Sequence, residues 1–317
     1  MLDFSKKRFF LAPMANFTNA ACRAIFLEYG ADAVVSEFVY SRAVLSKAER
    51  VLEKLRIPES CRPAGIQIFG SDPSEMAEAA RFIEEVFSPD FIDINFGCPA
   101  PNAVCAGAGA LLLKDVKRMC RIVKKVSESL KTPVSAKMRT GWDKSSIIVP
   151  DAAVALEQSG ARMIALHGRT KVQGYEGEAD WNLIEKTALA LSIPLVGNGS
   201  AERLGADYMR QSACSAFMVG RAALGNPWIF HQLKARLENG DERRFEPSAR
   251  DRATMALRYA KAMAGGGYQN ISPQNIKFIQ TQVMRFLKNA SGFKKLRTNL
   301  KNVKSLSDLE GLLCEYL

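Results

Sequence analysis

The sequence holds no apolar run approaching the roughly eighteen residues a membrane-spanning helix needs, and the apolar stretch nearest its start, FFLAPMA, is interrupted by Pro13. Histidine is scarce, with only His167 and His231, and seven cysteines at 22, 61, 98, 105, 120, 214 and 314 make an odd count without paired spacing. That pattern fits neither a zinc site nor a disulfide framework, so no metal is expected and the cysteines read as reduced thiols, mostly buried. No G-x-G-x-x-G follows any β-rich run, which argues against a dinucleotide held on a Rossmann turn. Internal repeats beyond a strand-helix period and low-complexity segments are lacking too. These absences predict a cytoplasmic protein that is not membrane-associated; a monomer is a separate expectation, which the sequence does not fix.

At 317 residues, 47% hydrophobic and 24% charged, the chain suffices for one large domain and one small one. Its net charge of +11 is unevenly spread: from Arg252 to Leu317 eleven Lys or Arg stand against three Asp or Glu. Such concentrated charge suggests a polyanionic partner.

Eight short β-rich runs recur at 9–14, 32–38, 64–70, 91–97, 133–139, 163–169, 193–199 and 216–222, with starts 23 to 42 residues apart. Each gap has room for a helix, and near-continuous apolar character suits parallel strands covered on both faces. Helix signals fill the gaps. After the third run Asp72 can cap, Pro73 suits the first turn and Glu75 completes a capping box. After the fourth, Val116, Met119, Ile122, Val123 and Val126 form one stripe. Eightfold alternation predicts an α/β protein, a (β/α)8 TIM barrel over residues 1–242, followed by a small basic helical bundle over 249–317. The boundary is placed in LENGDERRFEPSAR.

In such barrels chemistry sits at the carboxyl ends of the strands. Here those ends carry Pro13-Met14-Ala15, Ser36-Glu37, Gln67, Asn95 with Gly97-Cys98-Pro99, Lys137 with Arg139, His167 with Arg169, Asn198-Gly199-Ser200 and Gly220-Arg221. The last two follow strands seven and eight, where exposed backbone amides often bind a phosphate, and an FMN phosphate fits there. Tight turning alone also explains Gly199 and Gly220. A reduced flavin is negative near N1 and O2 and needs a fixed cation, for which Lys137 is the natural candidate. Gln67 and His167 are placed to hydrogen-bond the flavin's pyrimidine edge.

Taken together, LAPMA (11–15), Ser36-Glu37, Gln67, DINFGCP (93–99), GAGALLLKD (107–115), KMRTGW (137–142), HGRT (167–170), NGS (198–200) and VGRAALGNPWIF (219–230) resemble the tRNA-dihydrouridine synthases, bacterial type, over nearly the whole chain. DINFGCP with HGRT is the specific part; LAPMA is shared with other FMN barrels. The resemblance implies reduction of a D-loop uridine in tRNA, with bound FMN as hydride carrier and NADPH as electron source. It assigns Cys98 as general acid and Asn95 as a uracil contact. Pro13, Met14, Ala15, Gln67, Lys137, His167, Asn198, Gly199, Ser200, Gly220 and Arg221 go to the flavin. Ser200 departs from the Asp common in relatives, which puts its own contact in question.

The chemistry agrees with that assignment. Hydride delivered to uracil C6 requires a proton at C5, and a thiol with a reference pKa of about 8.5 is protonated at neutral pH yet gives up its proton readily. Cys98 lies in a stiff Gly-Cys-Pro turn, whereas Cys105 lies in an Ala/Gly stretch. Arg139, Arg169 and Lys171 read either as phosphate contacts for entering RNA or as solvated loop charges. Tyr175 and Trp181 read either as base-stacking or as core aromatics. Arg285, Lys288, Lys294, Lys295 and Arg297, with Lys301 and Lys304, are interleaved with Phe286 and Phe293, a pattern suited to RNA. The rival enzyme reading is a dihydroorotate dehydrogenase-like FMN barrel acting on a free pyrimidine, disfavoured by the basic tail. A barrel kept only for RNA binding is disfavoured by Cys98, Lys137 and His167.

Overall fold

The computed structural model describes residues 6–240, 245–265, 273–288 and 293–314. Its strands are β1 (Arg8–Leu11), β2 (Ala33–Val35), β3 (Val39–Tyr40), β4 (Ala64–Phe69), β5 (Phe91–Phe96), β6 (Val134–Arg139), β7 (Met163–His167), β8 (Leu195–Asn198) and β9 (Ala216–Val219). All the ladders between them are parallel, and β1 pairs with both β9 and β2 while β2 pairs with β4, which closes a barrel. β3 continues β2. Val35 lies opposite Gly65 and Val39 opposite Ile68, so residues 36–38 face only two residues of β4. That extra residue is a bulge, and it splits the second expected run into two pieces of one stave. The expected TIM barrel of eight staves is present.

Local signals explain the covering helices. The Asp72 carboxylate accepts from the amides of Ser74 and Glu75 and starts the helix Pro73–Phe87 at its proline. Along Val116–Glu128 the stripe Met119, Ile122, Val123 and Val126 is buried, with Val116 half-buried at the end.

The two-residue period of a strand sorts its side chains into two cores. Phe9, Leu11, Ile66, Ile68, Ile92 and Ile94 face outward and pack under the helices. Phe10, Ala33, Phe91, Met163, Val196 and Met218 face inward and fill the base of the barrel. Consecutive Phe9 and Phe10 are both fully buried, one in each core, and each contributes on the order of 2 kcal/mol by leaving water. Further along, the inward positions turn polar: Gln67, Asp93, Asn95, Ser135, Lys137, Arg139, His167 and Asn198.

The chain ends in helices Ala249–Gly265, Pro273–Phe286, Phe293–Leu300 and Leu306–Cys314. Their apolar residues, Tyr259 and Phe286 among them, join the same buried cluster as Phe26 and Phe230 of the barrel's helical layer. The expected boundary includes 241–244, outside the described residues. Polar contacts seat this region on the barrel, among them the Arg258–Glu28 ion pair. Asn19 donates to the Tyr259 hydroxyl at 2.8 Å, and Gln282 donates to the Asn16 carbonyl at 2.6 Å. Gly225, at φ +71°, lets the Arg285–Phe286 backbone approach where a Cβ would come within 2.2 Å of the Arg285 carbonyl oxygen. No described helix is long and apolar enough to cross a membrane. All seven cysteines are free, but only Cys22, Cys61 and Cys214 are buried; Cys98 and Cys120 are half-buried, while Cys105 and Cys314 are exposed.

Candidate active site

A cavity of about 880 Å³ opens at the carboxyl ends of the strands. Cys98 and Asn95 line it from β5 and its loop, Lys137 and Arg139 from β6, His167 and Arg169 from β7. Asn198, Gly199 and Ser200 line it from β8, Gly220 and Arg221 from β9, and Pro13, Met14 and Ala15 from the loop after β1. Arg285 reaches it from the C-terminal helix Pro273–Phe286, with its guanidinium 5.5 Å from the Phe17 ring. Of the lining residues six are Lys or Arg, with Arg203, and one is acidic, Glu202. The site is built for anions.

Three expected residues have partners within the protein. Gln67, fully buried and outside the cavity wall, donates its amide to Asp93 at 2.5 Å and accepts from Asn95 at 2.7 Å. Arg139 is 2% exposed and donates to the carbonyls of Gly97, Thr170 and Gly174. Arg169, 3% exposed, donates to the carbonyls of Glu176 and Gly177 and to the Ser200 hydroxyl. Both guanidiniums, expected as phosphate contacts or solvated charges, pin down the loop after β7. The reason is supply: a loop packed over a barrel mouth has carbonyls without ladder partners, and a guanidinium offers five donors.

That loop holds Tyr175 at the mouth, 54% exposed, with the Arg221 guanidinium 4.2 Å from its ring centroid. Trp181 is instead structural, donating to the Gly199 carbonyl at 2.9 Å and packing against Phe217. Gly199 has φ +125°, and a Cβ there would meet Ala179 at 2.6 Å and His167 at 3.1 Å. Lys288, Lys295 and Arg297 are exposed on the helical region away from the cavity. The Lys294 side chain lies outside the described residues. Phe286 is fully buried in the core, and Phe293 is half-buried.

Electrostatics follows from this crowding of cations. The Lys137 ammonium donates to Asn198 Oδ1 at 3.2 Å, yet burial and then Arg139 bring its pKa down to about 8. Burial, joined by Lys137, Arg139, Arg169 and Arg221, holds His167 neutral, far below the usual imidazole range. Arg169 can only donate across the 3.4 Å to His167 Nε2, which leaves the ring's proton on Nδ1. Burial raises the Cys98 thiol, while the Ala100 amide, Arg139 and Lys137 oppose that shift. It therefore stays protonated at neutral pH. Beneath it, burial also raises the Asp93 carboxyl, opposed by Ser135, Gln67 and Lys137. Asp93, Ser135 and the cavity-lining Phe17 and Phe38 were missed in the sequence. Strand parity held the signal for Asp93 and Ser135, which share the inward face with Asn95 and Lys137.

The dihydrouridine synthase profile matches residues 10–314. The chain belongs to the dihydrouridine synthase family. It is 33% identical to a protein of Aquifex aeolicus named "Probable tRNA-dihydrouridine synthase", over 97% of this chain and 95% of that one. A protein of Pasteurella multocida named tRNA-dihydrouridine synthase B is 36% identical over 81% and 78% of the two chains. A third family member, from Rickettsia conorii, is 37% identical over 74% and 71%. Among solved structures, a 2-naphthoyl-CoA reductase complex aligns with a TM-score of 0.55 at 13% identity, covering 72% of this chain and 50% of its own. That likeness concerns the barrel fold alone.

Proposed function

We propose that this protein reduces a D-loop uridine of tRNA to dihydrouridine, using bound FMN and NADPH as electron source. One observation carries the reading: a free, half-buried thiol shares a cavity with Lys137 and with the backbone turns after β8 and β9. At about 880 Å³ the cavity is near the top of the range for ligand sites, roughly 300–1,000 Å³. Its cationic wall fits a phosphate and a ring that becomes negative on reduction. Gly199, Ser200, Gly220 and Arg221 would hold the phosphate, and Lys137 with the neutral His167 would hold the pyrimidine edge. Bound there, FMN supplies a hydride to uracil C6.

The chain's own residues do the rest. Cys98 gives its Sγ proton to C5, so that a C–H bond forms as the S–H bond breaks. The thiolate left behind is stabilised by the nearby charges of Arg139 and Lys137 and takes up a proton from solvent. Asn95 uses its carboxamide oxygen on the amides of Gly97 and Cys98 and one amide hydrogen on Gln67. Its second hydrogen remains for a uracil carbonyl.

The test is reoxidation of the reduced enzyme. Bulk tRNA lacking the modification should reoxidise it, whereas free uracil should not; reoxidation by dihydroorotate would favour the free-pyrimidine reading. Cys98→Ala should keep flavin and tRNA binding and lose turnover by about 10²- to 10⁴-fold, the usual worth of a positioned proton donor. A fully active Cys98→Ala would remove the thiol from the mechanism.

A further inference from the structure

One hydrogen-bonded chain runs from the barrel interior to the Cys98 loop. Asp93, 3% exposed and absent from the cavity wall, accepts from Ser135 Oγ at 2.6 Å and from Gln67 Nε2 at 2.5 Å. Gln67 turns its oxygen to Asn95 Nδ2 at 2.7 Å, and Asn95 turns its oxygen to the amides of Gly97 at 3.0 Å and Cys98 at 2.8 Å. Both ends have fixed polarity. Asp93 Oδ2 accepts from the Gln67 amide and a backbone N–H only donates, so each carboxamide between them has one satisfied orientation. Two further bonds hold the loop, from Arg139 Nε to the Gly97 carbonyl at 3.0 Å and from the Ala110 amide to the Cys98 carbonyl at 2.9 Å. Among the described residues, only the Asn95 bond reaches the amide of Cys98 itself.

We infer that Asp93 is a positioning residue for the Cys98 thiol, fixing through Gln67 and Asn95 the orientation of the loop that carries it. The inference rests on the proposed role of Cys98. Asp93 touches neither the cavity nor a reacting atom; it acts through the two carboxamides, which without it could turn over or lose their register.

Three variants separate this role from space-filling and from charge. Asp93→Leu has similar bulk and removes both acceptors. Asp93→Asn can keep an oxygen on Gln67 and give its NH2 to Ser135, whose hydroxyl then turns fully to the Ile92 carbonyl it already faces at 3.5 Å. Ser135→Ala removes a bond outside the chain that leads to Cys98. The readouts are kcat and KM for tRNA, flavin content, and peptide-resolved iodoacetamide alkylation of Cys98 with exposed Cys105 as reference. Asp93→Leu is expected to lower kcat about tenfold or more through misplacement of the donor. KM and flavin content should hold, and Cys98 should alkylate severalfold faster relative to Cys105. Asp93→Asn and Ser135→Ala should stay near wild type on every readout.

Unchanged kcat and alkylation in Asp93→Leu would overturn the inference. So would an Asp93→Asn as impaired as Asp93→Leu, which would point to charge instead of orientation. If Asp93→Leu does not fold, Gln67→Met breaks the same chain one link closer, and relative Cys98 alkylation then decides in the same sense. An active Cys98→Ala would remove the thiol from the proposed mechanism, while the alkylation comparison would still judge the chain.

Discussion

Lys137 illustrates the electrostatic cost of placing a cation at the barrel mouth. Its charge is set in a partly buried wall among other cations, and its pKa falls from 10.5 to about 8. An unfolded chain would hold that proton up to the higher value, so unfolding takes up a proton between the two. The ligand-free protein should therefore grow more stable as pH rises from 8 towards 10.5. Lys137→Met should flatten that part of a melting-temperature profile while impairing flavin retention; a profile unaltered by the substitution would show that the ammonium is not strained. The chemical type of such residues was legible in the sequence, because a lysine, a histidine and a cysteine at successive strand ends are costly unless used. Their partners were not. Gln67 reads as a flavin contact, and Arg139 and Arg169 as contacts to RNA or solvated charges, and the sequence does not report their partners in the fold: Asp93 and Asn95 for Gln67, Gly97 and Thr170 for Arg139, Ser200 for Arg169.

Among elements, the strands and the loop after β7 show opposite degrees of legibility. Strand runs and the Asp72 cap depend on neighbours within a few residues, so their positions could be read to within a residue or two at most ends. The bulge over 36–38 depends on the spacing of β4, which no local pattern reports. The loop after β7 depends on several elements at once: Arg139 from β6, Arg169 at its own start and Ser200 after β8 hold it over the mouth. Arg169→Leu would remove the donors to the Gly177 carbonyl and the Ser200 hydroxyl and should destabilise the protein by about 1–2 kcal/mol. Thermal melting should register that loss, and limited proteolysis should cut first near Tyr175. A variant with wild-type melting and no new cleavage would show that the loop is held otherwise.

For the molecule as a whole, two surfaces carry charge of the same sign. The mouth is cationic, and exposed Lys288, Lys295, Arg297, Lys301 and Lys304 lie on the helical region, which also sends Arg285 into the cavity. Lys295→Glu should weaken tRNA binding and lower the salt dependence by roughly one unit of slope, without loss of flavin. Equal affinity and slope for the two proteins in a filter-binding titration would take Lys295 off the RNA face. The sequence by itself determined the eight-stave barrel, the helical tail, the placing of Cys98, Lys137 and His167 at the mouth and the concentration of charge, because periodicity, capping and composition are local properties. Only the tertiary structure decided that Asp93, Gln67 and Asn95 form one chain to Cys98, that two arginines serve a loop, and that Arg285 completes the cavity. Those outcomes depend on strand register and on packing between residues far apart in the chain, where the nearest acceptor is set by the fold.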